Sequence, residues 1–330
     1  LIETNTNKLN IEISSVKPLE FEALAIRVFQ YQASYNYLYK QYIQLLGINP
    51  VDIKTIIEIP FLPISLFKSH KIQTGNWQPV KEFTSSGTTG ENTSRHLVQD
   101  ERFYLSNAKR GFEHFYGAIN QYQVFALLPS YLERQGSSLI AMMQYFIKIA
   151  QPGSGFYLNE FEAIVRMMLQ AKDNRKPVLL MGVSFALLDL AEQYDIDLDG
   201  IIVMETGGMK GKRKEMIREE LHSILKQRFK LSSIHSEYGM TELFSQAYSK
   251  GNGLFYPAPT MKVMSRPVND PLGIEKTGKT GILNIIDLAN IHTCSFIATD
   301  DLGVVYEDGS FTVSGRADNS DIRGCNLLLG

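Results

Sequence analysis

GIIVMETG, residues 200–207, runs from a glycine through Ile201, Ile202, Val203 and Met204 and then breaks at Glu205, Thr206 and Gly207. An apolar run of this length without alternation reads as a strand buried on both faces. QVFALLP (123–129) and PVLLMGV (177–183) have the same character. Each run is followed by a loop and a helical segment, such as SSLIAMMQYFIKIA (137–150) or KRKEMIREELHSILKQRF (212–229). This alternation, from about 95 to 250, predicts an α/β core with a mostly parallel sheet flanked by helices.

On the N-terminal side, EFEALAIRVFQYQASYNYLYKQYIQLLG (20–47) places Phe21, Leu24, Ala25, Val28 and Phe29 at helical spacing, and Gly47 and Pro50 end the pattern. IPFLPISLF (59–67) follows, with Pro60 and Pro63 favouring extended backbone. Beyond 251 helical periodicity stops. KTGKTGILNIID (276–287) and SFIATDDLGVVYEDGSFTVSG (295–315) read as short strands, with a hairpin turn at Glu307–Ser310. The expected organisation is a helical section at 1–80 packed on the core, an α/β core at 81–250 and a small β-rich subdomain at 251–330.

Composition narrows the function classes. A chain of 330 residues with 44% apolar content supports a globular core, and a net charge of −2 gives no global field for nucleic acid. Cys294 and Cys325 are too few for a disulfide scaffold. The polar N-terminus, LIETNTNKLNIEI, lacks an export pattern, and no stretch reaches the roughly 20 apolar residues of a membrane span. The expectation is a soluble, cytoplasmic protein.

Chemistry concentrates in five segments. FTSSGTTGENTSRH (83–96) joins two glycines to a row of hydroxyls. Such a loop turns its N–H groups inward and suits a phosphate, with a plain polar turn as the alternative. It is not a Walker loop, because no Gly-Lys-Ser/Thr follows. ETGGMKG (205–211) follows a strand, HSEYGMTELFSQAY (235–248) gathers His235, Glu237, Tyr238, Thr241 and Glu242, and ATDDLG (298–303) precedes GRADNSDIRGC (315–325). Each has a structural reading by itself: a turn, a helix cap, a satisfied histidine. Their order is what stands out.

That order resembles the adenylate-forming superfamily, on TSSGTTG (84–90), YGMTE (238–242), Asp301 in TDDLG and GRAD (315–318). LPSYLERQGSSLIAMM (128–143), ETGGMKG, HSEYGMTELFSQAY and GRADNSDIRGC are similar to the acyl-protein synthetases of bacterial luminescence, the LuxE family, and more distantly to phenylacetate-CoA ligases. The resemblance implies the N-terminal-domain fold of adenylate-forming enzymes and ATP- and Mg²⁺-dependent activation of a carboxylic acid, a fatty acid in that family, followed by transfer to a cysteine thiol. Thr84, Ser85, Ser86, Gly87, Thr88, Thr89 and Gly90 would hold phosphates, and Gly207 and Gly208 would border adenine. Tyr238 and Gly239 would meet the base, Thr241 the α-phosphate, Glu242 the Mg²⁺, and Asp301 and Arg316 the ribose.

Most members of the superfamily carry a further domain with a catalytic lysine after the hinge motif, whereas this sequence runs fourteen residues past Arg316. Lys210, Lys212, Arg95 and Arg134 are the candidate substitute cations. Cys325, beside Arg323, matches the acylated cysteine of the luminescence enzymes, and Cys294, in a strand-like segment, is the second candidate acceptor. Phe112, Phe115 and Tyr116, or Met142, Met143 and Tyr145, suit either an acyl tunnel or core packing. The expected activity is an acyl-protein synthetase, with an acyl- or aryl-CoA ligase and a non-catalytic nucleotide-binding subunit as alternatives. Expected partners are the acid, a reductase or acyl-carrier protein, and a second copy of the chain.

Overall fold

The computed structural model describes residues 2–85, 93–129, 136–158, 160–208, 213 and 216–317. In chain order, the N-terminal section holds α1 (Ile2–Ser14), α2 (Phe21–Tyr35), α3 (Tyr37–Leu45), the two-residue strand β1 (Leu62–Pro63) and the short α4 (Leu66–Ser69). β2 (Lys81–Thr84) and β3 (Arg95–Val98) form a hairpin. Then come α5 (Glu101–Tyr116), β4 (Gln123–Leu127), α6 (Ser138–Ile149), β5 (Gly155–Tyr157), α7 (Phe161–Asp173), β6 (Val178–Val183), α8 (Ser184–Gln193), β7 (Ile202–Thr206), α9 (Arg218–Phe229) and β8 (His235–Tyr238). The remaining strands are β9 (Ala247–Ser249), β10 (Tyr256–Pro257), β11 (Met261–Arg266), β12 (Thr280–Asp287), β13 (Phe296–Val304) and β14 (Gly315–Arg316).

The three apolar runs of the sequence become β4, β6 and β7 of one seven-stranded sheet, ordered β10-β9-β8-β7-β6-β4-β5. Neighbours from β5 to β8 are parallel, and β9 and β10 add antiparallel. Every residue of β4 and β6 is buried, because helices cover both faces, which is why neither strand alternates. Removing each large apolar side chain from water contributes about 1.5–3 kcal/mol.

The second sheet is mixed rather than mostly parallel. β11, β12 and β13 run antiparallel, β14 adds antiparallel to β13, and β1 pairs parallel with β13 through Leu62↔Ile297 and Pro63↔Ala298. This sheet shares its core with the N-terminal section: Leu24, Val28 and Phe29 of α2 pack in one cluster with Leu283, Ile285 and Phe296. Phe29 meets the Phe296 ring edge-on at 5.9 Å. A two-residue strand joining segments more than 230 residues apart leaves no periodic trace in the sequence.

Buried polar side chains fix the register of the helices on this sheet. Asn36, between α2 and α3, accepts from Tyr39 N at 3.0 Å as an N-cap and donates through Nδ2 to the Thr293 carbonyl at 2.7 Å. Gln32 donates to the Asn290 carbonyl at 3.0 Å and accepts from Ser295 N at 2.9 Å. The loop at 290–295 is thereby held from both sides.

Candidate functional site

The two sheets meet in a cleft. Its walls are Ile64, Ser65 and Lys68 at α4, Ser94 beside β3, Met240 and Glu242 in the turn after β8, Thr299, Asp300 and Asp301 of β13, and Arg316 of β14. Four of the five segments that carry the motifs reach this place or its border. β8 delivers Tyr238 at its carboxyl end, and the hydroxyl donates to Asp301 Oδ2 at 2.7 Å. Antiparallel pairing sets Arg316 opposite Asp301, with Nε 3.4 Å from Oδ1. The Tyr238 ring is buried against Phe255 and Phe311, at 5.9 and 5.4 Å.

Glu242 is buried, and burial pushes its carboxyl above the ordinary range, while a hydrogen bond from Ser94 and the charges of Arg316 and Lys68 work the other way. Thr241, half-buried, is held by its backbone: its carbonyl accepts from His96 Nδ1 at 2.8 Å. A carbonyl only accepts, so Nδ1 carries the proton and Nε2 accepts from the Thr293 hydroxyl, also at 2.8 Å. His96 is wholly buried, stacks on Phe244 at 4.4 Å, and is pushed down to about 4 by burial. It is a neutral bridge between the hairpin, the 290–295 loop and the Thr241 turn.

The hydroxyl loop is closed at its base. Ser85 N donates to the Ser94 carbonyl at 3.1 Å, and Ser94 N donates to Ser85 Oγ at 2.9 Å. Thr84 N donates to the Gly136 carbonyl at 2.8 Å, which sets the loop before α6 against the hairpin. Gly136 sits at φ +89°, and a Cβ there would stand 3.1 Å from the Glu82 carbonyl oxygen, so glycine is required. Gly207, at φ +69°, turns the chain out of β7, and its carbonyl accepts from Ser184 Oγ at 2.9 Å. Gly208 follows in open space, and Gly239 follows Tyr238 at the carboxyl end of β8.

Below this rim lies a buried charge cluster. Glu205 of β7 accepts from Arg218 Nε at 3.2 Å and from Ser184 Oγ at 3.3 Å, with His222 Nε2 at 3.5 Å. Burial works to raise its pKa, but the His222 hydrogen bond and the Arg218 charge outweigh it and hold the carboxyl below its usual value. Thr206 donates to Glu237 of β8.

Of the residues singled out in the sequence, Glu242, Asp301 and Arg316 come together in the cleft and Tyr238 backs it through its bond to Asp301, with Thr84, Ser85, Thr241 and Gly239 in the adjoining segments. Arg95 is exposed at the end of the hairpin, opposite Thr84, and does not line the cleft. Ser86, Gly87, Thr88, Thr89, Gly90, Arg134, Lys210, Lys212 and Cys325 lie outside the described residues. Cys294 sits in the turn before β13 rather than within a strand. It is wholly buried, and burial pushes its thiol up to about 12, so it is no ready nucleophile. Phe112, Met142 and Met143 belong to the core of the seven-stranded sheet, and Phe115, Tyr116 and Tyr145 pack against it. Ser94 and His96 close the quoted 83–96 stretch but were given no role there, and Lys68 follows the IPFLPISLF segment, which carries no motif.

Glu242, a cleft carboxylate with no described ion pair, fits Mg²⁺, which takes one or two carboxylates together with phosphate oxygens and water. Among the described residues no group of three or more His, Cys, Asp or Glu side chains is placed to hold a metal.

The fold is that of the adenylate-forming ligases. A 2-hydroxyisobutyryl-CoA ligase in complex with 2-HIB-AMP and CoA matches 92% of this chain and 72% of its own, with a TM-score of 0.66 and 13% identity. ATP-bound MatB from Rhodopseudomonas palustris matches 71% of this chain with a TM-score of 0.53 and 15% identity, and the chain spans about half of that protein, 47%. In sequence the chain is a distant homologue of the long-chain-fatty-acid–luciferin-component ligases. It is 24% identical to that of Vibrio harveyi over 333 residues, covering 91% of this chain and 85% of the other. To that of Aliivibrio fischeri it is 23% identical over 286 residues, covering 78% and 71%. No family model matches the chain. Among the described residues no helix is long and apolar enough to cross a membrane.

Proposed function

We propose that this chain activates a carboxylic acid, a long-chain fatty acid by the homology, as an acyl adenylate with ATP and Mg²⁺, and passes the acyl group to a cysteine thiol as a thioester. The observation that carries this reading is the meeting of Asp301, Arg316 and Glu242 in one cleft beside the base of the hydroxyl-rich hairpin, with Tyr238 bonded to Asp301 from behind. Residues 81–250 act as the nucleotide-binding core in this reading, and the section from 251 supplies Asp301 and Arg316.

The acid's carboxylate oxygen bonds to the α-phosphorus, and pyrophosphate leaves with the electrons of the broken P–O bond. Two anions approach, so the residues must offset negative charge. Mg²⁺, when bound, neutralises phosphate oxygens and orients them. Glu242 holds the metal, and the buried ring and hydroxyl of Tyr238 fix Asp301 to receive ribose hydroxyls. The 84–90 loop supplies N–H and hydroxyl donors, and His96 keeps the Thr241 backbone in place. In the second half-reaction a thiolate attacks the acyl carbon and AMP leaves. Burial of Cys294 favours Cys325 or an external thiol as the acceptor.

Pyrophosphate exchange scanned over fatty and aryl acids tests the reading. Acid-dependent exchange is expected, greatest with long-chain acids, and its absence with every acid overturns the proposal. Product analysis with CoA present separates an acyl-protein synthetase from a CoA ligase.

A further inference from the structure

We infer that Lys68 is the cation of this cleft that binds an anionic oxygen of the reactants, on the nucleotide's phosphates or the acid's carboxylate. The inference rests on the adenylation reading and adds a residue to it.

The backbone that carries Lys68 is held on one side by β13 and on the other by the β2–β3 hairpin. β1 pairs with β13, and one residue further Ile64 N donates to the Ala298 carbonyl at 2.9 Å, so the chain enters α4 alongside Asp300 and Asp301. Phe67, the neighbour of Lys68, is wholly buried and meets the His96 ring edge-on at 5.5 Å. The same histidine holds the Thr241 turn, so α4 and that turn share one anchor.

The charge of Lys68 is uncommitted. Glu242, Asp300 and Asp301 all line the cleft with it, yet Lys68 makes no ion pair with any described residue. The other cation of the cleft, Arg316, is already paired with Asp301. A flexible ammonium facing a carboxylate that it does not neutralise is placed to meet a ligand bringing negative charge of its own.

The test uses the full chain as wild type, Lys68→Met and Lys68→Arg, with pyrophosphate exchange measured against ATP and against acid, and thermal midpoints recorded alongside. Lys68 is exposed, so all three proteins are expected to melt alike. Lys68→Met is expected to raise KM for one reactant by roughly 10- to 100-fold, the scale of a lost charge-assisted hydrogen bond, with Lys68→Arg recovering part of it. A rise in KM for ATP assigns the phosphates, and a rise for the acid assigns the carboxylate. Exchange by the wild type with both KM values and kcat within twofold in Lys68→Met overturns the inference and leaves adenylation standing. No exchange by the wild type with any acid overturns both.

Discussion

The Tyr238 hydroxyl and the Asp301 carboxylate bond across the boundary between the two sheets, one residue ending β8 and the other lying within β13. A hydroxyl donating to a charged acceptor contributes more than a neutral pair, about 1.5–3 kcal/mol. Tyr238→Phe keeps the ring on Phe255 and Phe311 and removes only this bond. Urea unfolding is expected to show a loss of that size, with KM for ATP rising severalfold. Unchanged stability together with unchanged KM would mean that the bond neither joins the sheets nor sets Asp301.

Glu242→Gln separates function from folding. Burial opposes the charge of this carboxylate, so a neutral isostere is expected to fold at least as well as the native residue. Acid-dependent pyrophosphate exchange is expected to fall about 100-fold, in the range seen when a transition-state charge stabiliser is removed. A variant with full exchange places the metal elsewhere.

Arg218 ties the sheets together beneath the cleft. Its Nη1 donates to the Val313 carbonyl at 3.0 Å and its guanidinium lies 5.0 Å from the Phe255 ring centre, while Nε holds Glu205. Arg218→Met strands a buried carboxylate and is expected to cost about 3 kcal/mol. Adding Glu205→Gln removes the stranded charge, so the double variant is expected to be more stable than Arg218→Met alone. Additive losses in a double-mutant cycle would refute the coupling.

How much of this was legible beforehand follows from which contacts are local. β4, β6 and β7 declared themselves by unbroken apolar runs, and the motifs after them fell at strand ends, as in α/β sheets generally. That the helical section at 1–80 packs on the second sheet was not legible, since it depends on β1 and on Asn36 and Gln32 reaching the 290–295 loop. His96 follows a single arginine in a polar stretch, and only the folded chain brings Phe244, Thr241 and Thr293 around it. Lys68 was hidden for the same reason.

Acid sensitivity follows from buried histidines. His96, His235 and His292 are each pushed down to about 4 by burial, against 6.5 for an ordinary histidine. Between pH 4 and 6.5 the unfolded chain therefore binds more protons at these sites, and stability falls as pH drops through that window. Buried Asp287, pushed up to about 6, and Glu242, raised by burial, act oppositely, but they are two groups against three. Urea midpoints are expected to fall from pH 7 to pH 5, and less steeply in His96→Asn. A rising midpoint would show that the histidines do not dominate.

The two cysteines make a direct contrast. Labelled acyl-protein formation is expected to survive Cys294→Ala, whose thiol is buried and raised to about 12, and to be lost in Cys325→Ser. Survival in both would assign the acceptor to another molecule.

The parallel pairing of β1 with β13 also bears on biosynthesis. Residues 62–68 leave the ribosome more than 220 residues ahead of the strands at 296–316 that complete their side of the cleft. Contacts this distant in sequence form late and slowly. A nascent chain thus cannot assemble the cleft around Asp301 and Arg316 until translation has passed residue 316, and the helices before β1 must wait until then with their apolar faces uncovered, a natural point for a chaperone to act.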